Sequence, residues 1–115
     1  NRNTTLVSLS VTADLQPPTP DPMEWASEPK EVKRGNTSLS YYAEMTAAEA
    51  VDHAAGVEYF FECTTESGFS SKWQSSRQYS VLIGRSGQGH RFRVKARDTS
   101  PGHNETGWSS VVMAR

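Results

Sequence analysis

The sequence predicts an all-β sandwich of about seven antiparallel strands, and three observations carry that prediction. Short stretches alternate apolar and polar residues, the period of a strand that buries one face. Clusters of Gly, Pro and Asn separate those stretches, as turns do. The segment richest in helix formers, residues 46–55, lacks the length and periodicity of a stable helix and reads as a loop.

Val7, Leu9, Val11 and Ala13 alternate with Ser8, Ser10 and Thr12, so the N-terminus reads as a half-buried strand. The run Gln16-Pro17-Pro18-Thr19-Pro20-Asp21-Pro22 follows. Its prolines cannot donate ladder hydrogen bonds and favour a stiff, extended linker. Residues 1–16 are therefore expected to be the tail of a preceding domain or an extra edge strand, and residues 17–115 the module itself.

Residues 23–32 predict the module's first strand, ended by Arg34-Gly35-Asn36. In residues 37–45 alternation sends Leu39, Tyr41, Ala43 and Met45 inward and Tyr42 and Glu44 outward. Val57, Tyr59, Phe61 and Cys63 share one face of the clearest strand, with Glu58, Phe60 and Glu62 on the other. Residues 78–83 follow the Ser67-Gly68 turn and Trp73. After the turn at Gly84, Gly87 and Gly89, residues 90–97 alternate without a break. His90, Phe92, Val94 and Ala96 point in, while Arg91, Arg93, Lys95 and Arg97 point out. Residues 98–107 read as a loop and residues 109–114 as the last strand. If the two charged strands are neighbours, Glu58 and Glu62 meet Arg93, Lys95 and Arg97 across the sheet.

A chain of 115 residues holds one core of this kind. No apolar run approaches the roughly 20 residues of a membrane span, and no signal peptide is visible. The net charge of −1 argues against nucleic-acid binding through general electrostatics. Cys63 is the only cysteine, which rules out an internal disulfide and a multi-cysteine zinc site. Sequons begin at Asn3, Asn36 and Asn104. No nucleophile elbow, phosphate loop or H-E-x-x-H motif accompanies His53, His90 and His103, and Cys63 falls on an inward face. The chain reads as non-catalytic.

The run Gly56-Val57-Glu58-Tyr59-Phe60-Phe61-Glu62-Cys63, then Trp73, Tyr79 and Arg93-Val94-Lys95-Ala96-Arg97-Asp98 with Asn104-Glu105-Thr106, resembles one group of fibronectin type III-like modules. Pro20-Asp21-Pro22-Met23-Glu24-Trp25-Ala26 is similar to that group's entry into its first strand. The resemblance spans roughly residues 17 to 115. It implies a fibronectin type III/immunoglobulin-like β-sandwich, and a secreted or cell-surface bacterial setting beside the catalytic domain of a polysaccharide-degrading enzyme or sulfatase. The sequence departs from the family at the turn before the sixth strand. Gly84 falls on the leucine slot, so Leu82 or Ile83 must fill that core space. His90 stands where a corner tyrosine is usual, and its imidazole could donate to a backbone carbonyl over a shorter reach.

Carbohydrate binding is the sharpest functional expectation. Sugar-binding modules place exposed aromatic rings under pyranose faces and flank them with polar groups. Trp73 and Trp108 sit among polar residues and suit such platforms. Trp25 is a weaker third candidate, and Lys72, Arg97 and Asn104 are the flanking contacts. The alternative is that the tryptophans cap the ends of the core. The resemblance suggests an algal galactan such as agar or porphyran. The stripe Arg91, Arg93, Lys95 and Arg97 could meet sulfate or carboxylate groups, or be paired with glutamates. Calcium is the one cofactor considered: the loops 46–56 and 98–107 would emerge at one end and gather Glu49, Asp52, Asp98, Asn104 and Glu105, with Asp52 and Asp98 as principal ligands. The competing expectation is a passive spacer or protein-interaction module with no ligand. A monomer without nucleic-acid or membrane partners is expected.

Overall fold

Alternation along the chain decides which strands form and which way they face. The computed structural model describes residues 16–52 and 55–115. These form six strands: β1 (Trp25–Lys33), β2 (Tyr41–Ala47), β3 (Val57–Cys63), β4 (Gln78–Gly84), β5 (Arg91–Asp98) and β6 (Val112–Met113). A 3-10 turn at Ser67–Phe69 interrupts the order, and the described residues contain no α-helix. Every pairing is antiparallel. One sheet runs β1-β2-β4 and the other β3-β5-β6. The alternating stretch from Val7 to Ala13 lies outside the described residues, as does His53.

The inward residues of both sheets make one core. Ala43, Met45, Ala47 and Ile83 come from the first sheet, and Tyr59, Phe61, Cys63, Phe92, Val94 and Ala96 from the second. Phe61 is its centre. Its ring stacks on Tyr79 across the two sheets at 5.4 Å between centroids and meets Trp25 at 6.1 Å. Met23, just before β1, and Ala114, just after β6, complete the core.

Two details differ from the sequence pattern. Leu39 is 54% exposed rather than inward, and β2 begins only at Tyr41. Hydroxyl groups explain the delay: the Leu39 N–H donates to Thr37 Oγ1 (3.2 Å) and the Thr37 N–H to Ser40 Oγ (3.3 Å). Local side-chain bonds of this kind draw the backbone into a turn and away from the ladder. The proline run is also not a detached linker. Pro18 is buried, Thr19 bridges Val51, and Asp21 Oδ1 accepts the Gly107 N–H at 2.8 Å.

At the turn before β5, Ile83 is buried and Leu82 is 50% exposed, so Ile83 is the residue that fills the core there. His90 is half-buried; its Nδ1 lies 3.2 Å from Thr65 Oγ1 and its ring meets Phe69 edge-on at 5.0 Å. The partner is thus a side-chain hydroxyl rather than a backbone carbonyl. Thr65 Oγ1 also accepts the Arg91 N–H, tying the loop after β3 to the start of β5.

Phe61→Ala should cost about 3–5 kcal/mol, since a buried ring is lost and a cavity remains. Leu39→Ala should change stability by less than about 0.5 kcal/mol. Urea unfolding followed by tryptophan fluorescence measures both, and equal losses would contradict this placement of the core.

Candidate functional site

The outer face of the β3–β5 pair carries the densest chemistry of the molecule. Register sets Glu58 opposite Arg97, Phe60 opposite Lys95, and Glu62 opposite Arg93. Alternation turns all six side chains away from the core. The outer rungs close as ion pairs, Glu62 Oε1 to Arg93 Nε at 2.6 Å and Glu58 Oε1 to Arg97 Nε at 3.0 Å. Lys95 faces an apolar partner and finds its carboxylate elsewhere, on Glu105 at 2.8 Å.

Two segments flank this ribbon, and each delivers a tryptophan onto it. Along the outer edge of β3, the N–H groups of Phe61 and Cys63 donate to Ser71 Oγ (2.9 Å) and Ser70 Oγ (3.0 Å). Tyr59 and Gln74 exchange two backbone bonds of 2.7 and 2.9 Å. Along β5 the pattern repeats: Val94 N–H donates to Ser109 Oγ (2.9 Å) and Ala96 N–H to Thr106 Oγ1 (3.0 Å). Hydroxyls substitute for strand carbonyls on both sides. Trp73 and Trp108 are thereby held over the same outer face.

The indoles interleave with the cations of β5. Arg93 lies 4.0 Å from the Trp108 ring centroid and Lys95 4.7 Å from it. Lys95 is also 5.8 Å from Trp73, and Arg97 is 4.2 Å from Trp73. The order along the strand is thus Arg93, Trp108, Lys95, Trp73, Arg97. Phe60 lies beneath both indoles, edge-on, at 5.3 Å and 84° to Trp73 and at 6.0 Å and 89° to Trp108. The positive ring edges meet negative ring faces, and each indole face meets a cation.

Trp73 and Trp108 are brought together, half-buried, with their rings engaged by side chains of β5. Trp25 packs against the core and its indole N–H donates to the Ser110 carbonyl at 3.0 Å, so it is a core-closing residue. Arg97 joins the ladder. Lys72 is exposed beside Trp73. Asn104 turns away to brace Asp98. Phe60 and the hydroxyls of Ser70, Ser71, Thr106 and Ser109 were not anticipated. The available signal was a Ser or Thr within three residues of each of these tryptophans.

Asp98 is 2% exposed, and its carboxylate is fully occupied. Oδ1 accepts from the Ser100 N–H (3.2 Å), the Ser100 hydroxyl (2.6 Å) and the Asn104 N–H (3.1 Å); Oδ2 accepts from Asn104 Nδ2 (3.0 Å). Burial pushes the carboxyl pKa up, but the Ser100 and Asn104 donors outweigh it and hold Asp98 below the ordinary carboxylate range. Asp52 instead lines a shallow depression with Glu49, Ser75 and Arg77, and Asp98 does not line it. Glu105 is spent on Lys95. Among the described residues no three or more His, Cys, Asp or Glu side chains gather as a metal site. Asp98 braces its own loop through Ser100 and Asn104.

Cys63 is buried, with Sγ 3.3 Å from Thr65 Oγ1. Compared with known proteins, the chain matches no family model, and no curated protein matches it.

Trp108→Ala should cost about 2–4 kcal/mol, and a double-mutant cycle with Arg93→Ala should give a coupling of about 0.5–2 kcal/mol. Chemical denaturation of the four proteins reads both, and additive losses would mean that the stacked pair contributes nothing specific. Asp98 supplies a pH test. Because its folded pKa is lowered, its stabilisation is complete above the unfolded value of about 3.9 and is lost as pH falls through the lower folded value. Asp98→Ala should remove that acid-limb dependence and cost about 1–3 kcal/mol at neutral pH. Urea midpoints measured from pH 7 down to about pH 2 check both.

Proposed function

We propose that this chain is a non-catalytic accessory module of the fibronectin type III kind, carried by a secreted bacterial protein, and that it acts as a stiff spacer or protein-interaction unit beside a polysaccharide-degrading domain. The ordered motifs from Pro20 to Thr106 and the antiparallel two-sheet pairing support the family part of this reading. One observation carries the functional part. A sugar platform offers open indole faces, whereas Arg93, Lys95 and Arg97 lie over the rings of Trp108 and Trp73. Glu58, Glu62 and Glu105 also pair with those cations, which removes the charge an anionic polymer would seek.

Sugar binding is the second reading, favoured by one feature: Trp73 and Trp108 stand side by side, still partly exposed, with Lys72 exposed next to them. Affinity electrophoresis in gels containing agar, porphyran and other algal galactans separates the two. Unchanged migration in every gel is the expected result. Retardation that disappears in a folded Trp73→Ala variant would overturn the spacer reading and make the ladder's outer surface a carbohydrate site.

A further inference from the structure

The open edges of the two sheets are protected very unequally. The β3 edge is covered by the segment containing Ser70, Ser71 and Gln74, and the β5 edge by the segment from Glu105 to Met113. The β1 edge carries Glu28, Lys30, Glu31 and Lys33, a buried Pro29 and two register shifts. Charges, proline and bulges are the devices that keep an edge from pairing with another chain. β4 carries neither charge nor proline, and its one register shift, between Leu82 and Gly84, lies at its C-terminal end.

Its backbone polarity follows from the register. The Ala47 N–H donates to the Arg77 carbonyl at 2.8 Å, so Arg77, Tyr79 and Val81 turn their amide groups toward β2. Gln78, Ser80 and Leu82 then turn theirs outward. Gln78 is satisfied locally, by Ser76 Oγ on its N–H and by Gln74 Nε2 on its carbonyl. Among the described residues, no partner accepts from or donates to the backbone of Ser80 or Leu82. Leu82 adds a side chain that is 50% exposed.

We infer that this edge pairs with the β4 edge of a second copy of the chain, antiparallel about a two-fold axis at Val81. That register sets Ser80 opposite Leu82 of the other copy, and Leu82 opposite its Ser80. Each pair exchanges two backbone hydrogen bonds, so all the outward groups of these residues are satisfied at once. The strand QYSVLIG holds no charged residue, so like charges meet only beyond its ends, where Arg77 faces Arg85 of the other copy. It is self-complementary. The two sheets become one continuous six-stranded sheet, and the monomer expected from the sequence gives way to a symmetric pair. So short a contact is weak, with dissociation in the range of about 0.1–1 mM.

Sedimentation equilibrium of the 115-residue chain between about 10 µM and about 1 mM tests this, with amide hydrogen exchange of Ser80 and Leu82 followed by NMR over the same range. The average mass should climb toward twice the monomer value, and the two amides should become protected in step. Leu82→Lys places like charges at the axis. Ser80→Pro removes an N–H that bonds to nothing within the molecule. Each should restore the monomer with unchanged circular dichroism; if one variant unfolds, the other carries the comparison. A monomer at every concentration would overturn the inference. So would dimerisation that survives the folded variants. Protection of Ser80 and Leu82 already complete in the dilute monomer would show that the chain's own residues cover the edge, and would likewise overturn it.

Discussion

The pairing of β3 with β5 is the constraint on which the rest of the molecule depends. Seven register pairs, from Val57 opposite Asp98 to Cys63 opposite Phe92, fix both faces of one ribbon together. On the inner side that register sets Tyr59 beside Ala96 and Phe61 beside Val94, the wall against which the other sheet packs. On the outer side the same pairs align Glu62 with Arg93, Phe60 with Lys95, and Glu58 with Arg97. A slip of one residue in β5 would turn Phe92 and Val94 to solvent and bury arginines beside Phe61. Two independent patterns thus specify the same alignment, which is how a sequence makes one register far better than its neighbours.

The outer ladder is more than a set of surface ion pairs. Isolated pairs between exposed side chains contribute about 0–1 kcal/mol, because water screens them and their side chains lose rotamer freedom. Here Arg93, Lys95 and Arg97 retain only about a fifth to a third of their side-chain exposure. Each cation lies against an indole ring, Lys95 between two, so one loss of freedom serves an ion pair and a cation–π contact together. The tryptophans are thereby covered without entering the main core. This gives the sandwich a second, thin hydrophobic layer on a face that would otherwise be solvated.

Much of this was legible in the sequence. The strand faces of residues 57–63 and 90–97 follow from period-two alternation, and the cross-strand charges could be matched once the two strands were taken as neighbours. Alternation, however, says nothing about a residue outside a strand. Trp73 and Trp108 lie in connecting segments, so the sequence did not show that the serines and Thr106 beside them anchor the backbone. Leu39 misled for a related reason, since three nearby hydroxyl residues offered its backbone a turn in place of a ladder. Asp98, Asn104 and Glu105 showed the right chemistry for calcium. Yet a carboxylate beside backbone N–H groups and a hydroxyl satisfies itself with them, and only the loop's path decides between those ends.

Hydroxyl side chains thus perform one task throughout the second sheet. A serine or threonine that accepts a strand N–H closes an edge position without adding a full strand. Its neighbouring backbone can then leave the sheet plane and carry a large side chain over the face. Both flanks of the β3–β5 ribbon use this device, which ties edge protection to tryptophan placement: losing the hydroxyl bond opens the edge and releases the indole together. Among the described residues the first sheet has no such segment along β4, where Gln78 is closed by a serine and a glutamine. On its outer face the row Val32, Tyr42 and Leu82 ends on an exposed leucine. The register turns the backbone groups of Ser80 and Leu82 outward along the β4 edge, where none of the described residues bonds to them.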